Sequence, residues 1–315
     1  MGSVTPRKTT IQPPRYGPPV DLSRYAWLSV AAALVTIALK GGAAWLTGSV
    51  GLLSDAAESL VNLAAAIVAL VALKVAIKPP DLNHPYGHSK AEYFSAALEG
   101  VMIFVAAGFI IVASIERLIN PRMPEQLGFG LAIAVVASLI NGTVSAVLLR
   151  QGRRYNSATL IADARHLMTD VITSVAVLVG VGLVAITNTP ILDPIVALLA
   201  GSNILWTGIS LIRSSVDGLM DVSLPERTNA DLYEVLDRFR VPGRIEFHAV
   251  RTREAGNRQF MEFHILVPGQ WSVRKGHDLT EDVIDALVEV VPEVRVSAHL
   301  EPIEDPRSYA DEEDF

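Results

Sequence analysis

Six apolar runs dominate this chain, and each is long enough to cross a bilayer. They fall at about 25–46, 52–77, 95–119, 127–149, 159–187 and 190–213. A spanning helix needs about 20 mostly apolar residues, and in lipid only helices and closed barrels satisfy their own backbone hydrogen bonds. The runs therefore predict an α-helical membrane protein with six transmembrane helices. Composition agrees: of 315 residues, 50% are hydrophobic, and the mean hydropathy is +0.38. That is too apolar for an ordinary soluble enzyme.

Charge is unevenly spread. Residues 221–315 are dense in Asp, Glu, Arg and His, while 25–213 contain long uncharged runs. The sequence thus divides into a tail at 1–23, a membrane domain at 24–214, a soluble domain at 222–304 and an acidic end at 305–315. The tail, "MGSVTPRKTTIQPPRYGPPV", is polar and proline-rich and reads as disordered rather than as a signal peptide. Arg7, Lys8, Arg15, Arg24, Lys78, Lys90, Arg150, Arg153, Arg154 and Arg213 fall on one side of the membrane, with Arg122 the main exception. Positive residues mark the cytoplasmic side, so both termini and the soluble domain are expected there, in a bacterial inner membrane. The net charge of -7 argues against nucleic acid as a partner. With no cysteine, neither disulfides nor thiolate metal sites are available.

Two of the runs carry polar residues at membrane depth. "LLSDAAESLVNLAAAI" holds Asp55, Glu58 and Asn62, and "IADARHLMTDVITS" holds Asp163, His166 and Asp170. Ionisable side chains there cost about 3 kcal/mol each and are rarely placed without a role. Glu58 with Asn62, and His166 with Asp170, are i, i+4 pairs that share a helix face. Together they offer four O/N donors, enough for one divalent cation. Ordinary hydrogen bonding between helices competes as an account of Asn62 alone. Asp55 and Asp163, three residues before each pair, are expected to line an access path or to orient the ligands. Lys40 and Glu99 are also intramembrane, and either an ion pair or a proton route is open for them.

The loop "DLNHPYGHSK" between the second and third runs adds Asp81, His84 and His88, again with ligand chemistry at close spacing. The soluble domain reads as αββαβ, a small α+β sandwich. "RIEFHAVRTREAG" and "RQFMEFHILVP" alternate as strands around a turn, and "SVRKGHDLTEDVIDALVEVV" is an amphipathic helix with a Ser N-cap. It holds His248, His264, His277 and His299, with Glu301 two residues after the last. All seven histidines of the chain thus fall in candidate metal clusters.

These stretches resemble the cation diffusion facilitator family, in particular its bacterial zinc/iron efflux type. The motifs are "TGSVGLLSDAAESLVN", "DLNHPYGHSKAE", "ADARHLMTDVITS", "FHAVRTREAG", "FMEFHILVP" and "AHLEP", in that order, over about residues 24–303. The resemblance implies a homodimer, joined through its membrane and metallochaperone-like cytoplasmic domains, that exports divalent cations in exchange for protons. It implies a transport site at Glu58, Asn62, His166 and Asp170, and a second site at Asp81, His84 and His88. It also implies a binuclear regulatory site at His248, His264, His277, His299 and Glu301. One departure stands out: the family commonly has His or Asp and then Asp where Glu58 and Asn62 stand here. Zinc is the first cargo this implies, with Fe2+, Mn2+, Co2+ and Cd2+ also open. A membrane metal sensor that binds without transporting is the alternative. A membrane metallohydrolase is disfavoured, because no hydrolase motif is visible.

Overall fold

The computed structural model describes residues 20–47, 50–120, 128–189 and 191–310, except for some side chains within helices, those of 50–58 among them. The N-terminal tail expected to be disordered falls almost wholly outside the described residues. Among the described residues the chain forms two compact units, one of residues 21–223 with 253–258, the other of residues 224–252 and 259–310.

The first unit is built from six long helices. They are α1 (Ser23–Thr47), α2 (Val50–Ala76), α3 (Ala91–Ile119), α4 (Gly128–Arg154), α5 (Ala158–Thr187) and α6 (Leu192–Leu219). Among the described residues, stretches of α1, α3, α4 and α6 are long and apolar enough by themselves to cross a membrane. The other two, α2 and α5, carry the polar residues singled out above. α5 is delimited by its ends: Ser157 caps its start by accepting from the Leu160 amide, and Asn188 closes it in the left-handed conformation.

Lipid gives little hydrophobic drive for helix association, so close approach at small residues matters more. α3 and α6 meet at such a place. A Cβ on Gly208 would lie 2.9 Å from the Phe104 amide nitrogen and 3.1 Å from the Gly100 carbonyl oxygen. A Cβ on Gly100 would in turn meet Ile212 at 2.9 Å. At the start of α3, Glu92 is buried and accepts hydrogen bonds from the Ser157 hydroxyl and the Thr159 amide, which fastens α3 to α5.

The second unit is the expected αββαβ sandwich: α7 (Glu226–Phe239), β1 (Glu246–Ala255), β2 (Arg258–Val267), α8 (Val273–Val290) and β3 (Val294–Pro302). The sheet order is β1-β2-β3, and β3 runs parallel to β2. Alternation decides the faces. Met261, Phe263, Ile265 and Val267 of β2 join Val294 of β3, and Leu232, Val235, Leu236, Val283 and Leu287 of the helices, in one core. Ser272 caps α8 as expected, accepting from the Lys275 amide.

Substituting Gly208 with Leu is expected to force α3 and α6 apart and to lower stability by about 1–3 kcal/mol. A drop in the thermal midpoint of the purified protein in detergent would show it. An unchanged midpoint would mean the two helices are not in contact at this point.

Candidate metal sites

The polar residues of α2, α4 and α5 converge on one carboxylate. Asn62 Nδ2 donates a hydrogen bond to Asp170 Oδ2. Asn62 Oδ1 accepts from His166 Nε2 at 2.9 Å. Asn141 of α4 donates from Nδ2 to the same Asp170 oxygen at 3.3 Å. Asn62, Asn141 and His166 are each more than nine-tenths buried. The structure thus brings together Asn62, His166 and Asp170, three of the four residues paired by their spacing. Asp55 and Glu58 lie on α2, but their side chains are outside those described.

The remaining intramembrane groups resolve differently. Asp163 is buried and accepts from Ser29 Oγ of α1 at 2.9 Å. Glu99 is fully buried and takes a 3.4 Å hydrogen bond from Ser95. Among the described residues Lys40 and Glu99 form no ion pair, so the first of the two options open for them falls away.

The loop before α3 folds around Asp81. Its Oδ1 accepts from the backbone amides of Asn83, at 2.9 Å, and His84, at 2.7 Å. This is the local turn that Asp favours. The His84 amide does most to hold the Asp81 carboxyl below its usual range, with burial opposing and the Asn83 amide helping. His84 Nδ1 then stands 3.2 Å from Oδ1 and His88 Nε2 3.4 Å from Oδ2. One ligand atom from each of the three residues falls within 4.8 Å of the others, which suits a metal ion. Gly87 makes the loop possible: its φ is +88°, and a Cβ there would lie 2.4 Å from the Arg258 guanidinium.

In the tail domain, alternation turns the histidines to the sheet face opposite α7 and α8. The parallel register sets His264 beside His299 on one rung, and their rings meet edge to face at 4.9 Å. The His248 ring lies 5.0 Å from that of His264. Glu301 gathers all three: its Oε2 is 3.2 Å from His248 Nε2 and 3.1 Å from His264 Nδ1, and its Oε1 is 3.3 Å from His299 Nδ1. His248, His264 and Glu301 have ligand atoms within 4.8 Å of one another. His277 does not join them. It is exposed on α8, 4.0 Å from Glu281.

Two spans carrying paired donors at membrane depth, and two further His/carboxylate clusters outside the spans, define a multi-pass membrane protein equipped to handle cations. Residues 26–220 match the cation efflux transmembrane domain, and residues 224–303 match the cytoplasmic domain of cation efflux proteins, the ZT_dimer domain. An uncharacterized transporter of Synechocystis sp. is 50% identical over 291 residues, 92% of this chain and 94% of that one. The cation-efflux pump FieF of Pectobacterium carotovorum is 30% identical over 295 residues, 92% of this chain and 95% of that one. Among solved structures, the metal-bound C-terminal domain of the CzcD transporter from Thermotoga maritima is 31% identical. It covers 25% of this chain and 92% of that one, with a TM-score of 0.23. The chain belongs to the cation efflux family: it is a cation transporter and not an enzyme, and its ZT_dimer domain implies dimerisation.

Beside His248, Ala249 holds a φ of +50° within β1. A left-handed residue inside a strand marks a local bend that re-aims its neighbours, and a Cβ there costs about 1–2 kcal/mol. Ala249→Gly is therefore expected to raise stability by up to about 1 kcal/mol once the entropy of glycine is set against the relieved strain. Ala249→Val should lower it. The unfolding midpoint of the tail domain within the full chain measures both, and a glycine variant less stable than the parent would contradict this account of the strand.

Proposed function

We propose that this transporter exports a divalent cation, zinc first, from the cytoplasm of a bacterial cell in exchange for protons. We take Glu58, Asn62, His166 and Asp170 as its cargo site. The observation that carries the reading is the hydrogen-bonded set His166–Asn62–Asp170 between α2 and α5. These are ligand types, buried at membrane depth, on two different helices.

The geometry suggests how such a site works empty and loaded. In the structure His166 Nε2–H donates to Asn62 Oδ1, and Asn62 Nδ2–H donates to Asp170. The neutral amide thereby bridges imidazole and carboxylate, so neither faces an apolar surrounding alone. A cation must displace both bonds. It needs the Nε2 lone pair of His166, so the proton on that nitrogen must leave or shift to Nδ1. It also needs the Asn62 amide turned to present oxygen. Metal affinity falls whenever the ligands hold protons, and histidine is the side chain whose charge changes nearest neutrality. A more acidic exterior would thus load protons and release the cargo. Rocking of the helices that carry the site against the rest of the bundle would give alternating access.

One imidazole and two carboxylates suit zinc or iron(II), while the amide oxygen admits manganese(II). We assign Asp81, His84 and His88 a structural or regulatory role, since they lie outside the spans. His248, His264, His299 and Glu301 form the core of a tail site that senses cytoplasmic metal. Filling it would favour transport through the dimer, by linkage between metal and conformation. Asp163, held by Ser29, lines the approach to the cargo site.

His166→Ala is expected to lower zinc uptake into proteoliposomes by at least about 100-fold, with unchanged elution and thermal midpoint. Normal uptake by a folded His166→Ala protein would rule out the site. Retained zinc binding with no flux in the parent protein would favour a sensor.

A further inference from the structure

α4 reads in sequence as a plain apolar span, yet Asn141 sits near its middle with 5% of its surface exposed. Two facts set it apart from an ordinary polar contact between helices. Its Nδ2 donates to Asp170 Oδ2, the oxygen that also takes the Asn62 amide. Its Oδ1 is buried and has no hydrogen-bond partner among the described residues. Of the hydroxyl side chains nearby on α4, Thr143 donates to the Leu139 carbonyl and Ser145 to the Ala164 carbonyl of α5, while Ser138 Oγ is buried without a hydrogen-bond partner among the described residues. A buried amide oxygen without a donor is unfavourable in lipid, where no water can serve it. The atom facing the shared carboxylate is a donor, and the atom left over is a cation ligand.

We propose that Asn141 is a member of the cargo site, contributed by α4. It holds Asp170 through its N–H when the site is empty and turns its Oδ1 to a divalent cation when the site is loaded. The inference rests on the transport-site reading above. A half-turn about the Cβ–Cγ bond exchanges the two atoms with little displacement of the helix. Asn141 is uncharged in both states, so it adds an oxygen ligand without adding negative charge. The site then draws on three helices, and its donors become one imidazole nitrogen and several oxygens. That set suits cations that accept oxygen-rich, higher coordination alongside zinc.

The test separates the two atoms of the amide. Wild type, Asn141→Leu, Asn141→Asp and His166→Ala are reconstituted full-length, and initial zinc uptake is measured against zinc concentration, with manganese(II) in parallel. Leucine removes both atoms, and KM for zinc should rise about 10–100-fold, the usual cost of losing a supporting ligand interaction. Aspartate keeps an oxygen but has no N–H to give Asp170, so KM should return to the wild-type value or below. If Asn141→Leu leaves KM unchanged for both cations, the inference is wrong. It is equally wrong if Asn141→Asp is as impaired as Asn141→Leu, because the amide would then serve only as a donor that fastens α4 to α5. Should leucine prevent folding, the aspartate variant alone decides between these outcomes. His166→Ala distinguishes the levels: if it transports normally the whole site fails, whereas an inactive His166→Ala beside an unaffected Asn141→Leu sinks this inference alone.

Discussion

Every polar group at membrane depth in this chain must be answered from within the bundle, because lipid answers none. The hydrogen bonds that Asn62 makes to His166 and Asp170 meet that demand, and the rest of the helical unit is arranged around them. They tie α2 to α5, and Asn141 ties α4 to the same carboxylate. Elsewhere the pairing is local: Ser29 serves Asp163, Ser95 serves Glu99, and Ser157 serves Glu92. A serine hydroxyl, on the same helix for Glu99 and elsewhere in the chain for Asp163 and Glu92, thus serves one oxygen of each buried carboxylate without bringing in a charge.

The neutral bridge matters for exchange. A carboxylate at position 62 would need a proton to donate to Asp170, whereas a carboxamide donates without one. It also accepts from His166 at the same time. In the proposed cargo site a cation would open this bridge by replacing two hydrogen bonds with ligand bonds. Glycines at the α3–α6 crossing let those helices approach at backbone distance, which leaves the polar contacts to α2, α4 and α5.

Much of this was legible in the sequence, for identifiable reasons. Apolar length gave six helices, and period-two alternation in "FMEFHILV" set His264 opposite Met261, Phe263 and Ile265. The same alternation in "VRVSAHLEP" turned His299 and Glu301 the same way. The rung that joins His264 to His299 was not legible, because parallel register depends on how α8 returns the chain. His277 was grouped with the strand histidines by composition, but α8 carries it away from them to Glu281. Asn141 was missed because no ionisable residue stands one turn away on its own helix, only Ser138 and Ser145. Its partner, Asp170, is 29 residues further along the chain. A lone Asn in an apolar run, "ASLINGTVSAVLL", was the available signal. The spacing of Lys40 and Glu99 could not tell whether the two pair, because they lie on different helices, α1 and α3.

The central claim is that cation movement is tied to protons at a buried site. Zinc uptake by the reconstituted full-length protein, measured with an imposed pH gradient and again after its collapse, tests it most directly. The account predicts uptake that is driven when protons flow against the cation and that falls away when the gradient is removed. Uptake indifferent to the gradient, or tight zinc binding with no flux under either condition, would contradict it.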